Sequence, residues 1–356
     1  CIRDRFRKDL KSIHRPDLVL MTSMMTYWYP GIQETIAVLK TIFPDVAIVL
    51  GGIYASLCPE HAIKHSGADR VKTGSGEEYI LKLVGDYTGV TVNSKFDSDD
   101  LSTYPYPAFD LQTKINYVPL LTSKGCPFSC KYCASHVLNP KRMLRNPESV
   151  VEEITYWHER YKVKDFVFYD DALLVDSEMH AVPMFEKIID SGLKVRFHTP
   201  NAVHIRGITK QTAGLMFRAG FKTLRLGLET AAFEERGELD EKVTAEEFKR
   251  AVSCLKAAGF DKSGLGAYLL VGLPGQKMVS IENSIEIVRQ NGIDPILAYY
   301  TPIPQTALWR RAVATSRFNL EADPVFTNNA LLPCRKDPFS WDTISYLKKL
   351  TVDEGS

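Results

Sequence analysis

TAEEFKRAVSCLKAAGF, residues 244–260, holds one complete helix and the residue that leads out of it. Thr244 and Glu247 stand three apart, the capping-box spacing in which each side chain accepts the other's backbone N–H. Phe248, Ala251, Val252 and Leu255 recur at helical spacing and make one apolar stripe. Gly259 closes the helix, because glycine enters the left-handed region without a Cβ penalty. A short apolar run, residues 266–271, follows and reads as a strand. The same unit repeats from Tyr117 onward. Ser191-Gly192-Leu193, Ala219-Gly220-Phe221 and Asn291-Gly292-Ile293 are further helix ends. Asn146-Pro147 opens another helix, with proline in its first position and Val150, Ile154 and Trp157 as its buried stripe. The apolar runs are 117–122, 165–169, 194–198, 223–228, 266–271 and 296–301. Six strands alternating with helices predict a parallel sheet with right-handed crossovers. A doubly wound sheet and a partial barrel both fit that pattern.

A smaller α/β block precedes the repeat. Strands are expected at 17–23, 46–50 and 68–72, and helices at 31–42, 59–65 and 77–84. A complete doubly wound domain has about five strands. Three are present and the chain opens on Cys1, so the block reads as a truncated Rossmann-like domain. The expected organisation is 1–87 for this domain, 88–116 for a linker, 117–304 for the repeat and 305–356 for a helical extension. Composition suits such a protein: 45% of the 356 residues are hydrophobic and 24% charged, enough for large cores. Lys plus Arg is 44 and Asp plus Glu 43, a net charge of +1. No bulk basic field marks a nucleic-acid binder. No apolar run reaches the ~18 residues of a membrane span.

Seven cysteines are present. Four are scattered and three crowd into Cys126-Pro-Phe-Ser-Cys130-Lys-Tyr-Cys133. That is no disulfide framework, and it predicts a reducing, cytoplasmic setting. Lys124, Gly125 and Lys131 make the stretch a loop, just after the first strand of the repeat. The carboxyl ends of strands are where α/β folds keep their chemistry. Three thiolates on one loop suit an iron–sulfur cube with one iron left open, since such clusters normally take four thiolates. The rival metal is zinc, with His136 as fourth ligand.

Cys-x3-Cys-x2-Cys, with the aromatic Tyr132 before the third cysteine, resembles the radical SAM superfamily. The resemblance covers roughly residues 117–303 and implies a partial (βα)6 TIM-type barrel. It implies a [4Fe-4S] cluster on Cys126, Cys130 and Cys133. The open iron would chelate S-adenosylmethionine, whose reductive cleavage gives a 5′-deoxyadenosyl radical. A flavodoxin- or ferredoxin-type electron donor is implied as well. The fourth strand, Thr223-Leu-Arg-Leu-Gly-Leu-Glu229, alternates cleanly. Leu224, Leu226 and Leu228 share one face, and Arg225 and Glu229 the interior one. Buried charges need partners, so Arg225 is assigned the ligand's carboxylate and Glu229 its ribose or amine; an internal Arg225–Glu229 pair is the alternative. Asp170 and Asp171 end the second strand, where the family has Gly-Gly-Glu, and serve either the methionine amine or a helix cap. Asn201, Gly272, Pro302 and Ile303 end the third, fifth and sixth strands and complete the set with Tyr132. Arg196 and His198 are expected to face substrate.

The front block resembles the latter half of a cobalamin-binding domain, with Ser23, Gly51, Gly52 and Gly74 at its strand ends. The family's upstream Asp-x-His-x-x-Gly loop is absent. Cobalamin binding and a purely structural cover are both open. With cobalamin, methyl transfer to an unactivated carbon is the expected reaction of a small-molecule or peptide substrate. A non-catalytic iron–sulfur carrier or sensor and a zinc-stabilised binding module are the competing functions.

Overall fold

Residues 2–92, 95–234, 236–240, 242–335 and 341–352 are described by a computed structural model. The chain divides into two units, Cys1–Lys95 with Thr301–Lys336, and Phe96–Tyr300 with Asp337–Ser356.

The first unit opens with helix α1 (Ile2–Ser12) and strand β1 (Leu18–Ser23). Helix α2 (Tyr29–Ile42), with Pro30 in its first turn, leads to β2 (Ala47–Gly51). Then come α3 (Gly52–Leu57), α4 (Pro59–His65), β3 (Arg70–Val71) and α5 (Glu77–Thr88). The three strands are parallel in the order β1-β2-β3. Leu18 lies opposite Ala47 and Thr22 opposite Gly51. Ile36, Leu39, Phe43, Val46 and Ile48 form one apolar cluster, and Tyr29, Leu50, Tyr54, Ala55 and Ala62 another.

Helix α3 was not foreseen, because six residues are too few for a helical period to show. It starts where β2 ends, and Gly52 makes the corner with φ +86°. A Cβ there would lie 2.3 Å from Thr22 Oγ1 and 2.8 Å from the Ser23 carbonyl oxygen. We expect Gly52→Ala to lose about 2–3 kcal/mol from left-handed strain and overpacking together. Urea unfolding checks this; a loss below ~0.5 kcal/mol would show that the corner can relax.

The second unit starts its sheet with β4 (Val118–Leu120), followed by β5 (Ser123–Lys124), α6 (Ser135–Leu138) and β6 (Met143–Leu144). β5 and β6 pair as an antiparallel ribbon whose connection carries the three cysteines. The repeat continues through α7 (Pro147–Tyr161), β7 (Asp165–Phe168), α8 (Ala181–Asp190) and β8 (Arg196–Val203). Next are α9 (Lys210–Ala219), β9 (Phe221–Glu229), α10 (Ala245–Ala258), β10 (Leu265–Val271), α11 (Met278–Gln290) and β11 (Asp294–Tyr299). β4, β7, β8, β9, β10 and β11 pair consecutively and in parallel, with β4 and β11 at the two ends. This is the α/β architecture expected of a (βα)6 core.

Local chemistry explains the helix ends. The Thr244–Glu247 capping box is present in both directions, and Gly259 adopts φ +111°. Asn146 Oδ1 accepts from the Glu148 N–H at 2.8 Å. Val150, Ile154 and Trp157 are fully buried, and so are Leu224, Leu226 and Leu228. All six join one core cluster with Phe166, Phe168, Phe197 and Phe221, where the rings of Phe168 and Phe221 stack at 5.3 Å.

The remaining chain divides between the two units. Residues 301–336, with α12 (Trp309–Thr315), belong to the first. Helix α13 (Trp341–Thr351) belongs to the second, where Tyr346 donates to Glu282 Oε1 on α11 at 3.0 Å. No described helix is long and apolar enough to cross a membrane.

Candidate active site

The loop from Cys126 to Cys133 is held from four sides. At its start, the Gly125 N–H donates to Asp171 Oδ2 at 2.9 Å, and the same oxygen accepts from Asn139 Nδ2 at 3.0 Å. Arg142 Nη1 donates to the Gly125 carbonyl at 3.0 Å, and Arg142 Nη2 to the Val175 carbonyl at 3.0 Å. Gly125 has φ +81°, and a Cβ would lie 2.7 Å from the Lys141 carbonyl oxygen. At its far end, the Lys131 N–H donates to the Leu239 carbonyl at 2.9 Å, and Tyr132 OH to Asp240 Oδ2 at 3.2 Å. Between them, Phe128 packs on His204 at 4.6 Å between ring centroids. His204 Nε2 is 3.7 Å from Cys126 Sγ.

Desolvation by burial raises all three thiols above the ordinary cysteine value, Cys130 to about 11. Lys242 pulls the other way at each of them. The thiols are therefore protonated when free, and metal uptake must release their protons. The donor set fits a cluster, which takes one thiolate per iron. A single ion needs all its donors around one centre, and among the described residues no three His, Cys, Asp or Glu side chains form such a group. His136, the fourth ligand of the zinc reading, is exposed on α6.

Behind the loop lies a buried charged network. Lys242 Nζ is 3.3 Å from Glu229 Oε1, with both side chains only about a tenth exposed. It also sits 5.4 Å from the centre of the Tyr132 ring. Burial opposes the Lys242 charge, but Glu229, Cys130 and Asp240 outweigh it, and its pKa is raised. Asp240 Oδ1 accepts from Arg236 Nε at 2.8 Å, and Arg236 Nη1 donates to the Leu228 and Thr230 carbonyls at 2.6 and 2.8 Å. Tyr132 is pushed well above the usual tyrosine value, first by burial and then by Glu229.

The sequence-derived residues separate into groups. Glu229 ends β9 in left-handed backbone, φ +64°. Its partner is Lys242. Arg225 lies four residues earlier, about 13 Å along a strand, where Nη1 donates to the Leu224 carbonyl at 3.3 Å and lies 3.5 Å from the Gly264 carbonyl oxygen. Asp170 Oδ1 accepts from the Thr122 N–H, Thr122 Oγ1 and Ser123 Oγ at 2.7–3.0 Å, whereas Oδ2 has no partner among the described residues. Asp171 positions the cysteine loop. Asn201 Nδ2 donates to the Tyr169 carbonyl at 3.0 Å. Gly272, with φ +90°, donates to Gln276 Oε1 at 2.8 Å. Pro302 and Ile303 belong to the first unit through its later segment, and Ser23, Gly51, Gly52 and Gly74 belong to it through Cys1–Lys95. Arg196 and His198 are corrected: Arg196 forms a two-pronged pair with Asp165 at 2.5–2.6 Å, and His198 lies 3.1 Å from it. β8 starts at Arg196, so both stand at the amino ends of the strands, the side that serves stability.

Missed by the sequence analysis were Lys242, Asp240, Arg236 and His204. Only His204, directly after the third strand, carried a signal of position.

Buried His180 and Asp170 set opposing pH responses. Desolvation by burial lowers His180 to about 4 and raises Asp170 to about 6. Between pH 6.5 and 4 the unfolded chain protonates His180 first, so that group costs stability on acidification. From pH 6 to 3.8 the folded chain protonates Asp170 first, which adds stability. Relative to wild type, His180→Gln should gain stability as pH falls from 6.5 to 4, by up to ~3 kcal/mol, and Asp170→Asn should lose it. Urea unfolding at pH 6.5 and 4.5 reads both signs; identical slopes would refute the assignment.

Comparison with known proteins bears on this arrangement. Residues 120–288 match the family model described as the radical SAM superfamily, and residues 4–84 the B12 binding domain. The chain is 26% identical over 330 residues to an uncharacterized methyltransferase of Pyrococcus horikoshii, covering 85% of this chain and 70% of that protein. It is 23% identical over 340 residues to the anaerobic magnesium-protoporphyrin IX monomethyl ester cyclase of Rubrivivax gelatinosus, covering 86% of this chain and 60% of that one. In structure it resembles the radical S-adenosylmethionine methyltransferase TsrM of Kitasatospora setae, with TM-score 0.72, 15% identity and coverage of 88% and 69%. The cobalamin-dependent S-adenosylmethionine radical enzyme OxsB is also similar, with TM-score 0.63, 14% identity and coverage of 91% and 50%. The chain thus spans roughly half to seven-tenths of these relatives.

Proposed function

We propose, for a chain that belongs to the radical SAM superfamily and carries a B12-binding domain ahead of its radical SAM domain, that it performs cobalamin-dependent methyl transfer to a carbon of a small molecule. The observation that carries this reading is the anchored three-thiol loop at the carboxyl side of the sheet, with Glu229 at the end of the fourth strand of that sheet. The methyltransferase relative and the B12-binding match favour methylation over other radical chemistry.

When bound, the cluster supplies the electron that cleaves S-adenosylmethionine, and cobalamin a carrier for the methyl group. The chain's own residues have separable tasks. Cys126, Cys130 and Cys133 would hold the cluster. Asp171, Arg142 and Gly125 fix the start of their loop, and Asp240 its end through Tyr132. Glu229 is placed to accept from hydroxyl or ammonium groups of S-adenosylmethionine, and Lys242 to donate to its carboxylate. Each then exchanges an internal partner for one on the ligand. Asp170, Asn201, Arg225, Gly272, Pro302 and Ile303 complete the proposed set. Cobalamin is assigned to Ser23, Gly51, Gly52 and Gly74. At Gly74 nothing lies within 4 Å of where a Cβ would stand, so a flat ligand can approach the backbone there closely. A flavodoxin- or ferredoxin-type protein is the proposed electron donor.

Anaerobic reconstitution tests the proposal. Iron, sulfide and cobalamin should each bind, and addition of reductant and S-adenosylmethionine should yield 5′-deoxyadenosine or S-adenosylhomocysteine. Protein that binds the cluster and cleaves S-adenosylmethionine but takes up no hydroxocobalamin would overturn the methyl-transfer reading and leave hydrogen abstraction.

A further inference from the structure

Two strand-end connections of the first unit bond directly to one segment from beyond the barrel repeat, and the third bonds to one of those two. After β1, Thr26 Oγ1 meets Thr327 Oγ1 at 2.8 Å, with both residues buried. At the first residue of α2, Tyr29 OH donates to Asp323 Oδ1 at 2.8 Å. That oxygen also accepts from the Val325 N–H at 2.8 Å and so caps the turn that carries Thr327. After β2, Gln305 Nε2 donates to the Ser56 and Leu57 carbonyls, each at 3.0 Å. These are the last carbonyls of α3, which have no partner within the helix. Ser56 passes the contact on. Its Oγ donates to the Gly52 carbonyl at 2.9 Å and accepts from the Gly74 N–H, in the loop after β3, at 3.0 Å.

The segment is built to hold this shape. Pro302 and Pro304 precede Gln305, and Pro324 opens the turn that carries Thr327. Proline lowers the entropy that ordering must remove. Gln305 itself is held at φ +68°, a conformation that a non-glycine residue adopts only when its surroundings impose it. Ligands of doubly wound sheets sit outside the carboxyl ends of the strands, the edge these contacts define.

We infer that residues 301–336 complete the corrinoid site of the first unit, with Gln305, Asp323 and Thr327 as positioning residues that fix the loops around Gly52 and Gly74. This rests on the cobalamin reading given above.

The test is titration of the full-length, cluster-loaded chain with hydroxocobalamin, followed by the corrin absorbance, with iron and sulfide counted in each variant. Gln305→Glu keeps the size of the side chain but replaces its donor with an acceptor. Asp323→Ala removes two hydrogen bonds, and Asp323→Asn keeps an acceptor. We expect Gln305→Glu and Asp323→Ala each to weaken hydroxocobalamin about tenfold, Asp323→Asn to stay within threefold of wild type, and iron content to be unchanged throughout. Thr327→Val carries the same tenfold expectation if either of the first two variants fails to fold. Equal affinity in wild type and folded variants would overturn the inference, leaving the segment a packing element. A wild-type chain that binds no hydroxocobalamin overturns the underlying reading instead, and the inference with it.

Discussion

Cys126→Ala, Cys130→Ala and Cys133→Ala are each expected to yield protein that retains no stable four-iron cluster and forms no detectable 5′-deoxyadenosine. Cys254→Ala should keep both. The three thiols stand on one loop between β5 and β6, and removing any one leaves two protein ligands where clusters normally take more. His204 Nε2 lies 3.7 Å from Cys126 Sγ, and its ring packs against Phe128. Cys254 sits on α10 and packs against the apolar core. The loop itself should survive, because its anchors are Asp171, Arg142, Asp240 and the Leu239 carbonyl rather than sulfur. Iron and sulfide analysis after anaerobic reconstitution, with the visible absorbance of the cluster, reads the result. Stoichiometric zinc without iron in wild type, or full iron in a Cys130→Ala protein, would refute the assignment.

What the sequence revealed, and what it hid, follows the range of the interactions involved. Helix α10 was legible because its cap, stripe and terminating glycine lie within sixteen residues. The face that Leu224, Leu226 and Leu228 bury was legible because strand alternation is a local rule. The cysteine loop was legible because its donors lie within eight residues. Helix α3 was hidden by its length. The partner of Glu229 was hidden for a different reason. Lys242 lies thirteen residues downstream in irregular chain, where no period places a side chain, and only the fold brings it back. Arg225, four residues away on the same face, was the nearer candidate by sequence, but a strand of that length holds the two charges too far apart to pair. The path of residues 301–336 was hidden for the same reason. Its contacts join Thr26 to Thr327 and Ser56 to Gln305, pairs of common polar residues without a motif.

Lys242→Met is expected to weaken two properties at once, and a second substitution should separate them. Glu229 and Lys242 are each about nine-tenths buried and paired at 3.3 Å. Removing the cation strands a carboxylate beside Asp240 and the Tyr132 ring, and breaking a buried pair in this way costs about 3–5 kcal/mol. Unfolding free energy should fall accordingly. Adding Glu229→Gln removes the stranded charge, so the double variant should recover roughly 2 kcal/mol or more, as buried pairs replaced whole are nearly neutral. Affinity for S-adenosylmethionine should behave otherwise. If Lys242 donates to the ligand's carboxylate, its loss forfeits a charge-assisted contact of about 1.5–3 kcal/mol, which is ~10- to 150-fold in affinity. No change at Glu229 can restore that contact, and Glu229→Gln also weakens the proposed contact to the ligand's hydroxyl or ammonium groups. The double variant should therefore be stable again yet still bind S-adenosylmethionine weakly, measured by equilibrium dialysis on cluster-loaded protein. Recovery of affinity together with stability would mean that neither Lys242 nor Glu229 holds the ligand and that the two only neutralise each other, and the ligand's carboxylate would then have to be held elsewhere, with Arg225 the next residue to test.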